Sequence, residues 1–293
     1  MHSTVIGQPA LQQLLEGIPH REREVVAAGL RTTVLEAGTG PDIMLLHGQG
    51  EYGGKWFRIL PALMQTNRVI APDLPGHGTT YVTDGDASAR RVFDWLGELI
   101  ETTCAGSRPV VVGHITSGAI AARFAAEHPD AIAQLILVDA LGLAPFEPAP
   151  HFGQALMAFV MQPNHETHEA LWQVCAHDLP ALRRSFGDQW EVFESYNLAL
   201  AREAAHQPVQ QALMQEFGFP PIAEATLASI RVPTALIWGR HDLATPLEVA
   251  QRASARYGWP LHIVEGAADD PAGEQPTAFV AALRQAMAEL ARR

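Results

Sequence analysis

The sequence predicts an α/β fold, a mostly parallel eight-stranded sheet flanked by helices, with an inserted helical cap. Three observations predict it. Short apolar runs ended by turn residues recur along the chain, and helical patterns lie between most of them. One interval of more than 90 residues, between Asp139 and Pro233, holds helical patterns and no buried strand. Continuous β-branched runs suit strands buried on both faces. Strand–helix alternation folds into parallel units with helices on both sides of the sheet.

Taken in order, "EVVAAGLRTTVLEAG" (24–38) alternates like two short strands turning at Gly29. Six further strands follow: "IMLLHG" (43–48), "RVIAPD" (68–73), "PVVVG" (109–113), "LILVD" (135–139), "TALIWG" (234–239) and "LHIVEG" (261–266). Helical patterns are expected at 53–65, 88–103, 117–128, 246–257 and 275–291. These segments place the core at 1–141 and 222–293 and the cap at 142–221. Within the cap, "HETHEALWQVCAHDLPALRRSF" and "WEVFESYNLALAREAA" are the clearest helices. The Asp139–Pro233 interval also carries ten of the chain's 21 aromatic residues, among them Phe159, Trp172, Trp190 and Phe193. Most of these must pack the cap, but a cap over strand C-termini also makes a closed apolar cavity there an expectation.

Composition excludes several classes of function. The formal charge of −12 is wrong for a nucleic-acid partner, which needs a Lys/Arg footprint. Two cysteines, Cys104 and Cys175, make neither a disulfide framework nor a metal motif. The first residues lack a basic segment followed by an apolar run, and no run of about 18 apolar residues suggests a membrane span. A cytoplasmic location is the expectation. The partner is a small molecule, with no cofactor, no membrane and no metal; an oligomer is compatible with the sequence. His165 and His168 in "HETH" stand three apart on a helix face, a spacing metals use, but no third ligand is evident and the pair reads as solvated surface.

The order of five motifs resembles the α/β-hydrolase superfamily, in its cap-bearing small-molecule branch. "LLHGQGE" is similar to the loop after the third strand and "VIAPDLPGHG" to the segment after the fourth. "VVVGHITSG" resembles the nucleophile elbow. "LIWGRHDLATPL" resembles the segment presenting the triad acid, and "IVEGAADDPAGEQPTAFVAAL" the segment presenting the triad histidine. The family elbow reads G-x-nucleophile-x-G. Here the apex is Ile115, Ser117 stands at the second glycine, and Asp269 stands where the histidine belongs. Asp242 alone keeps the acid position. Taking Ser117 as the nucleophile would place its oxygen in the first turn of the helix, facing away from the cavity.

With nucleophile and imidazole replaced, an acyl-enzyme is not credible: losing the serine alone costs about 10⁶-fold in a well-studied hydrolase. What the resemblance implies to survive is electrostatic. The backbone N–H groups of Gln49 and Thr116 would form an oxyanion hole able to take an enolate or phenolate oxygen. Ile115, Glu51, His114 and Trp56 are the expected pocket lining, with His47 a structural part of its turn. Asp269 and Asp242 are the candidate catalytic residues, a carboxylate pair able to share a proton and act as general acid or base. The competing reading has Asp269 cap its own turn through backbone N–H groups. Three functions are compatible with these residues: a non-hydrolytic enzyme of small apolar molecules, a ligand-binding or partner protein, or an inactivated hydrolase.

Overall fold

The computed structural model describes residues 8–292; the first seven residues, part of the segment read for a leader, lie outside the described residues. The sheet has eight strands: β1 Arg21–Ala27, β2 Leu30–Ala37, β3 Asp42–Leu46, β4 Arg68–Pro72, β5 Val110–His114, β6 Gln134–Val138, β7 Thr234–Gly239 and β8 Leu261–Val264, in the order 1-2-4-3-5-6-7-8. β1–β2 and β2–β4 pair antiparallel, and every later pairing is parallel. The hairpin turns through Ala28 (φ 46°) and Gly29 (φ 74°), the two positive φ values of a type I′ turn.

Strand order decides where a site can form. The chain goes from β3 outward to β4, then returns across to β5 on the other side of β3. The loops leaving β3 and β5 therefore diverge from one crevice at the carboxyl ends of the strands, the usual ligand position in an open α/β sheet. "HGQGE" occupies the first of these loops and Ile115 the second.

The helices flank this sheet: α1 Gln8–Leu14, α2 Leu60–Leu63, α3 Ala89–Cys104 and α4 Thr116–Glu127 precede the insertion. Between β6 and β7 lie α5 Pro150–Met161, α6 His165–Cys175, α7 Leu179–Phe186, α8 Gln189–Ala201, α9 Gln207–Leu213, a π-turn at Met214–Gly218 and α10 Glu224–Ser229. α11 Leu247–Tyr257, α12 Pro271–Glu274 and α13 Pro276–Leu290 complete the chain.

One expected helix is broken, and another forms as expected behind a separate turn. The pattern at 53–65 becomes a 3₁₀ segment, Gly53–Arg58, followed by one turn of α2, because Gly53 and Gly54 weaken its start and Pro61 restarts it. The pattern at 275–291 is preceded by α12, with a break at Gln275 before Pro276. α1, unread in the sequence, packs on α8 and buries Leu14.

The insertion's aromatic residues chiefly fill the insertion itself. Trp172, Phe186, Trp190 and Phe193 meet one another at ring separations of 5.2–5.6 Å, favourable edge-to-face and tilted geometries. Phe57 and Tyr52 of the core reach up to Phe186 and Tyr196. His168 belongs to this cluster. It is 1% exposed and ringed by Phe159, Trp172, Trp190 and Phe193, while the exposed His165 bonds Glu194 at 2.5 Å. The solvated-surface expectation for "HETH" thus fails at His168, which α6 turns onto α8.

Gly239, the last residue of β7, lets the loop after β8 lie against that strand. A Cβ there would stand 1.9 Å from the carbonyl oxygen of Ala268, a backbone atom with little room to yield. Gly239→Ala is expected to destabilise the protein by at least ~2 kcal/mol, read by urea unfolding. A loss under ~0.5 kcal/mol, within the range of an ordinary surface substitution, would show that the loop is not held there by this contact.

Candidate functional site

The turn between β5 and α4 is strained. Ile115 has φ 52° and ψ −113°, a conformation that a β-branched residue avoids and that costs on the order of 1–3 kcal/mol. Hydrogen bonds hold it from both sides: Ile115 N–H donates to Val138 O at 3.0 Å, and Ile115 O accepts from Gly118 and Leu141 at 3.1 Å each. Two glycines allow the close approach. A Cβ on Gly113 would lie 2.7 Å from Ser117 O, and one on Gly118 would lie 2.4 Å from the Ala140 Cβ.

Ser117 is fully committed below this turn. Its buried hydroxyl donates to Leu46 O at 2.7 Å and accepts from His114 N–H at 2.9 Å, which aims it away from the crevice. The Thr116 hydroxyl reaches Met214 Sδ in the π-turn at 3.3 Å. The backbone N–H groups of Gln49 and Thr116 have no hydrogen-bond partner among the described residues. The Gln49 side chain is tied upward, Nε2 donating to Gln210 O of α9 at 3.1 Å, while its Oε1 is buried and unpartnered.

Beneath the turn lies a polar cluster only partly visible in the sequence. Lys55, on the 3₁₀ segment and 4% exposed, places its ammonium 2.5 Å from Glu51 Oε1, 2.9 Å from His114 Nδ1 and 3.3 Å from Asp270 Oδ1. His114 Nε2 lies 2.9 Å from the Asp269 carbonyl oxygen. A carbonyl only accepts, so Nε2 carries a proton, while Nδ1 lies within reach of both the Lys55 ammonium and Glu51 Oε2, the latter 3.1 Å away. Burial alone would raise the pKa of Glu51, but the Lys55 ammonium and His114 hold it well below the usual carboxylate range. Glu51 Oε2 also accepts from the Gly48 N–H. Trp56 is 1% exposed and stands behind His114, ring centroids 6.0 Å apart, with the Lys55 ammonium 4.9 Å from its ring. Of the four expected pocket residues, His114 and Trp56 are thus buried, while Ile115 and Glu51 keep accessible surface.

The two candidate carboxylates differ in kind. Asp242 is 4% exposed and accepts from Ala244 N–H at 2.7 Å, Thr245 N–H at 3.1 Å and the Thr245 hydroxyl. Burial still pushes its pKa up, to about 6. Asp269 keeps accessible surface, yet its Oδ1 is buried and without a partner. Burial and the nearby charge of Asp242 push it up to about 7. No hydrogen bond joins the two carboxylates among the described residues, so their coupling is through charge. The turn-cap role belongs to the neighbour: Asp270, not Asp269, accepts from Gly273 N–H at the start of α12.

Three further acids or thiols face this pair. Asp139, at φ 43°, is fully buried, accepts from Gly239 N–H at 2.8 Å, and is raised well above the carboxylate range by burial and by Asp242. Glu274 accepts from Ala268 and His177 amides at 2.6 Å each and is raised by burial to about 8. The Cys175 thiol, on α6, is raised by burial and by Asp269; its carbonyl accepts from Asp269 N–H at 3.1 Å. A lysine inside the otherwise apolar "GGKWF" and an acid ending "LILVD" were the available sequence signals for Lys55 and Asp139. His47 is structural: Nε2 accepts from Leu74 N–H at 3.0 Å, and burial holds its pKa down to about 4.

A cleft of about 250 Å³ opens beside Asp242, walled by Ala140, Leu141, Phe146, Ala244, Thr245 and Val249. Among the described residues no group of three His, Cys, Asp or Glu side chains is placed to hold a metal, and no helix is long and apolar enough to cross a membrane.

Sheet order, strained elbow and helical insertion together define a hydrolase-type α/β protein. The chain belongs to the alpha/beta hydrolase family, whose pattern it matches over residues 43–283. It is 28% identical to an uncharacterised protein of Mycobacterium tuberculosis over 86% of this chain and 76% of that one. It is also 28% identical to a 2-hydroxy-6-oxo-6-phenylhexa-2,4-dienoate hydrolase of Comamonas testosteroni, over 73% and 75% of the two chains. Among solved structures, a meta-cleavage product hydrolase of Pseudomonas fluorescens superposes with TM-score 0.76 at 21% identity, covering 91% of this chain and 97% of that one. That likeness establishes the fold.

The pKa of Asp269 fixes a sign for stability. Its native value lies above its ordinary one, so the native state binds the proton more tightly than the unfolded chain. The resulting stability is fully present below about pH 4 and is lost as pH rises through about 7. Asp269→Asn removes that loss. It is expected to stabilise the protein at pH 8 relative to pH 5 by on the order of 2 kcal/mol, allowing for the partial exposure of the group. Urea unfolding at both pH values checks this, and an equal effect at both would contradict it.

Proposed function

We propose that Ile115 and Asp269 occupy the nucleophile and histidine positions of this family, and that the chain performs non-covalent acid/base chemistry on a small, largely apolar molecule. The observation that carries this reading is Asp269: a residue that keeps accessible surface, with a buried carboxyl oxygen that has no partner and a proton affinity near neutrality, at the strand ends beside an elbow that cannot attack. The substrate's carbonyl or phenol oxygen takes the free Gln49 and Thr116 amides. Asp269 removes a proton from the adjoining carbon or hydroxyl, and the charge collects on the oxygen. Returning the proton at another atom completes a rearrangement; loss of a leaving group completes an elimination; where a β-hydroxyl is deprotonated, its oxygen becomes a carbonyl as the adjoining C–C bond breaks, the electron pair passing to the bound carbonyl oxygen as an enolate that then takes the proton back, which completes a C–C cleavage. Positioned proton transfer contributes about 10²–10⁴-fold, and each oxyanion donor about 10²–10³-fold.

The curated relatives support this substrate class. The Comamonas enzyme is named for a 2-hydroxy-6-oxo-dienoate, a compound whose name carries an enolic hydroxyl and a ketone. One observation favours a second reading, a ligand-binding protein without turnover: Asp242 is held by Ala244 and Thr245 and makes no hydrogen bond to Asp269.

Incubating the protein with a small-molecule extract of the cells that make it, followed by mass spectrometry, separates the readings. A compound converted by the wild type and at least ~10²-fold more slowly by Asp269→Asn is the expected result. A compound retained unchanged by both proteins would make this a binder. The assignment of positions has its own test. Ile115→Ser alone should leave p-nitrophenyl ester hydrolysis at background, whereas Ile115→Ser combined with Asp269→His should raise it at least ~10-fold. Equal rates for the two variants would show that residue 269 is not at the histidine position.

A further inference from the structure

The charges around the elbow do not balance evenly. The Lys55 ammonium makes contacts with three groups: Glu51 Oε1 at 2.5 Å, His114 Nδ1 at 2.9 Å and, as an ion pair, Asp270 Oδ1 at 3.3 Å. Asp269, the next residue along from Asp270, is not among them, and its Oδ1 is buried without a partner. The groups facing Asp269 are Asp242 and Asp139 from the ends of β7 and β6, Glu274 from α12, the Cys175 thiol from α6, and Glu51, Asp270, His114 and Lys55 below. All but His114 and Lys55 are acidic, and the His114 Nε2 proton goes to the Asp269 backbone carbonyl rather than to its carboxyl.

We propose that Lys55 is a positioning residue for the Asp269 proton. By engaging Glu51, His114 and Asp270 it fixes the His114 ring and, through Nε2, the Asp269 backbone, and it leaves the Asp269 carboxyl without a hydrogen bond from the ammonium, reached by its field alone. This rests on the reading of Asp269 as the acid/base group, and it adds how that group is set. Lys55 touches neither the crevice nor a substrate; it acts through His114 and through its field.

The test is titration, not turnover. With aspartate carboxyl carbons labelled with ¹³C, the Asp269 signal is assigned by its disappearance in Asp269→Asn and followed from pH 4 to 10. Removing an opposite charge from the cluster in Lys55→Met should raise the Asp269 midpoint by about one pH unit or more. The ¹⁵N signal of His114 Nδ1 should change from acceptor to donor as the ring turns to Glu51 alone. Lys55→Met leaves two buried carboxylates unpaired and can fail to fold, so Asp270→Asn is measured beside it. That variant keeps Lys55, releases one of its donors and removes a like charge, and should lower the Asp269 midpoint by about one unit. Midpoints unmoved in the variants that fold would overturn the proposal. A midpoint that moves as expected, in a protein whose turnover ignores Asp269→Asn, would instead uphold the Lys55 assignment and defeat the acid/base reading.

Discussion

The positive-φ turn at Ile115 is the constraint on which the rest of the site depends. It reverses the chain directly from β5 into α4 at the point where the sheet's winding changes direction. Four backbone hydrogen bonds and two glycines hold it against a strain that a β-branched side chain makes worse. Because the turn is that tight, the N-terminus of α4 lies beside the loop after β3, and two backbone donors there have no partner among the described residues. Ile115 contributes no chemistry of its own; its backbone fixes where chemistry can be placed. Strain of this size persists only where neighbours over-determine it, and here β6, α4 and the loop entering the insertion all bond to one residue.

The second organising feature is electrostatic. The crevice gathers carboxyl groups from the ends of β6 and β7 and from the loop after β8, and supplies one lysine beneath them. Glu51 and Asp270 share that lysine. Asp139, Asp242, Asp269 and Glu274 do not, and burial raises all four. Asp242 and Glu274 are partly relieved by backbone amides and Asp139 by one. Asp269 differs from the other three in that the residue keeps some accessible surface, and its buried Oδ1 has no partner among the described residues.

Much of this fold was legible because its signals are local. Continuous β-branched runs mark buried strands wherever they fall, and the paired glycines of "GHITSG" mark a close strand–helix approach whatever the distant parts of the chain do. The places of Gln49, Thr116 and Asp242 come from the same local motifs. Lys55 was not legible, because its role exists only after folding: its partner His114 is 59 residues away, and Asp270 lies on a loop from the far end of the chain. The apolar neighbours in "GGKWF" hint that the lysine is enclosed, but nothing nearby names the groups it meets. His168 fails for the same reason. Its sequence neighbours are polar, while the rings that enclose it come largely from α8. The turn-cap ambiguity at Asp269 was local, and one position decided it: Asp270 takes the cap, which frees Asp269 to face Asp242.

A protein under selection for stability alone would not keep this arrangement. Replacing an uncompensated buried carboxyl by an amide of the same shape removes the charge repulsion and keeps the volume, and costs nothing that the fold requires. Asp269 bears on no turn, caps no helix and pairs with no cation among the described residues, so no structural need explains its charge. Strained and electrostatically unfavourable groups concentrate where function needs them. In this chain both kinds of penalty occur at the carboxyl ends of the strands: a backbone strained at Ile115 and a carboxyl stressed at Asp269. The coincidence of the two penalties, more than either alone, sets this end of the sheet apart from the rest of the fold.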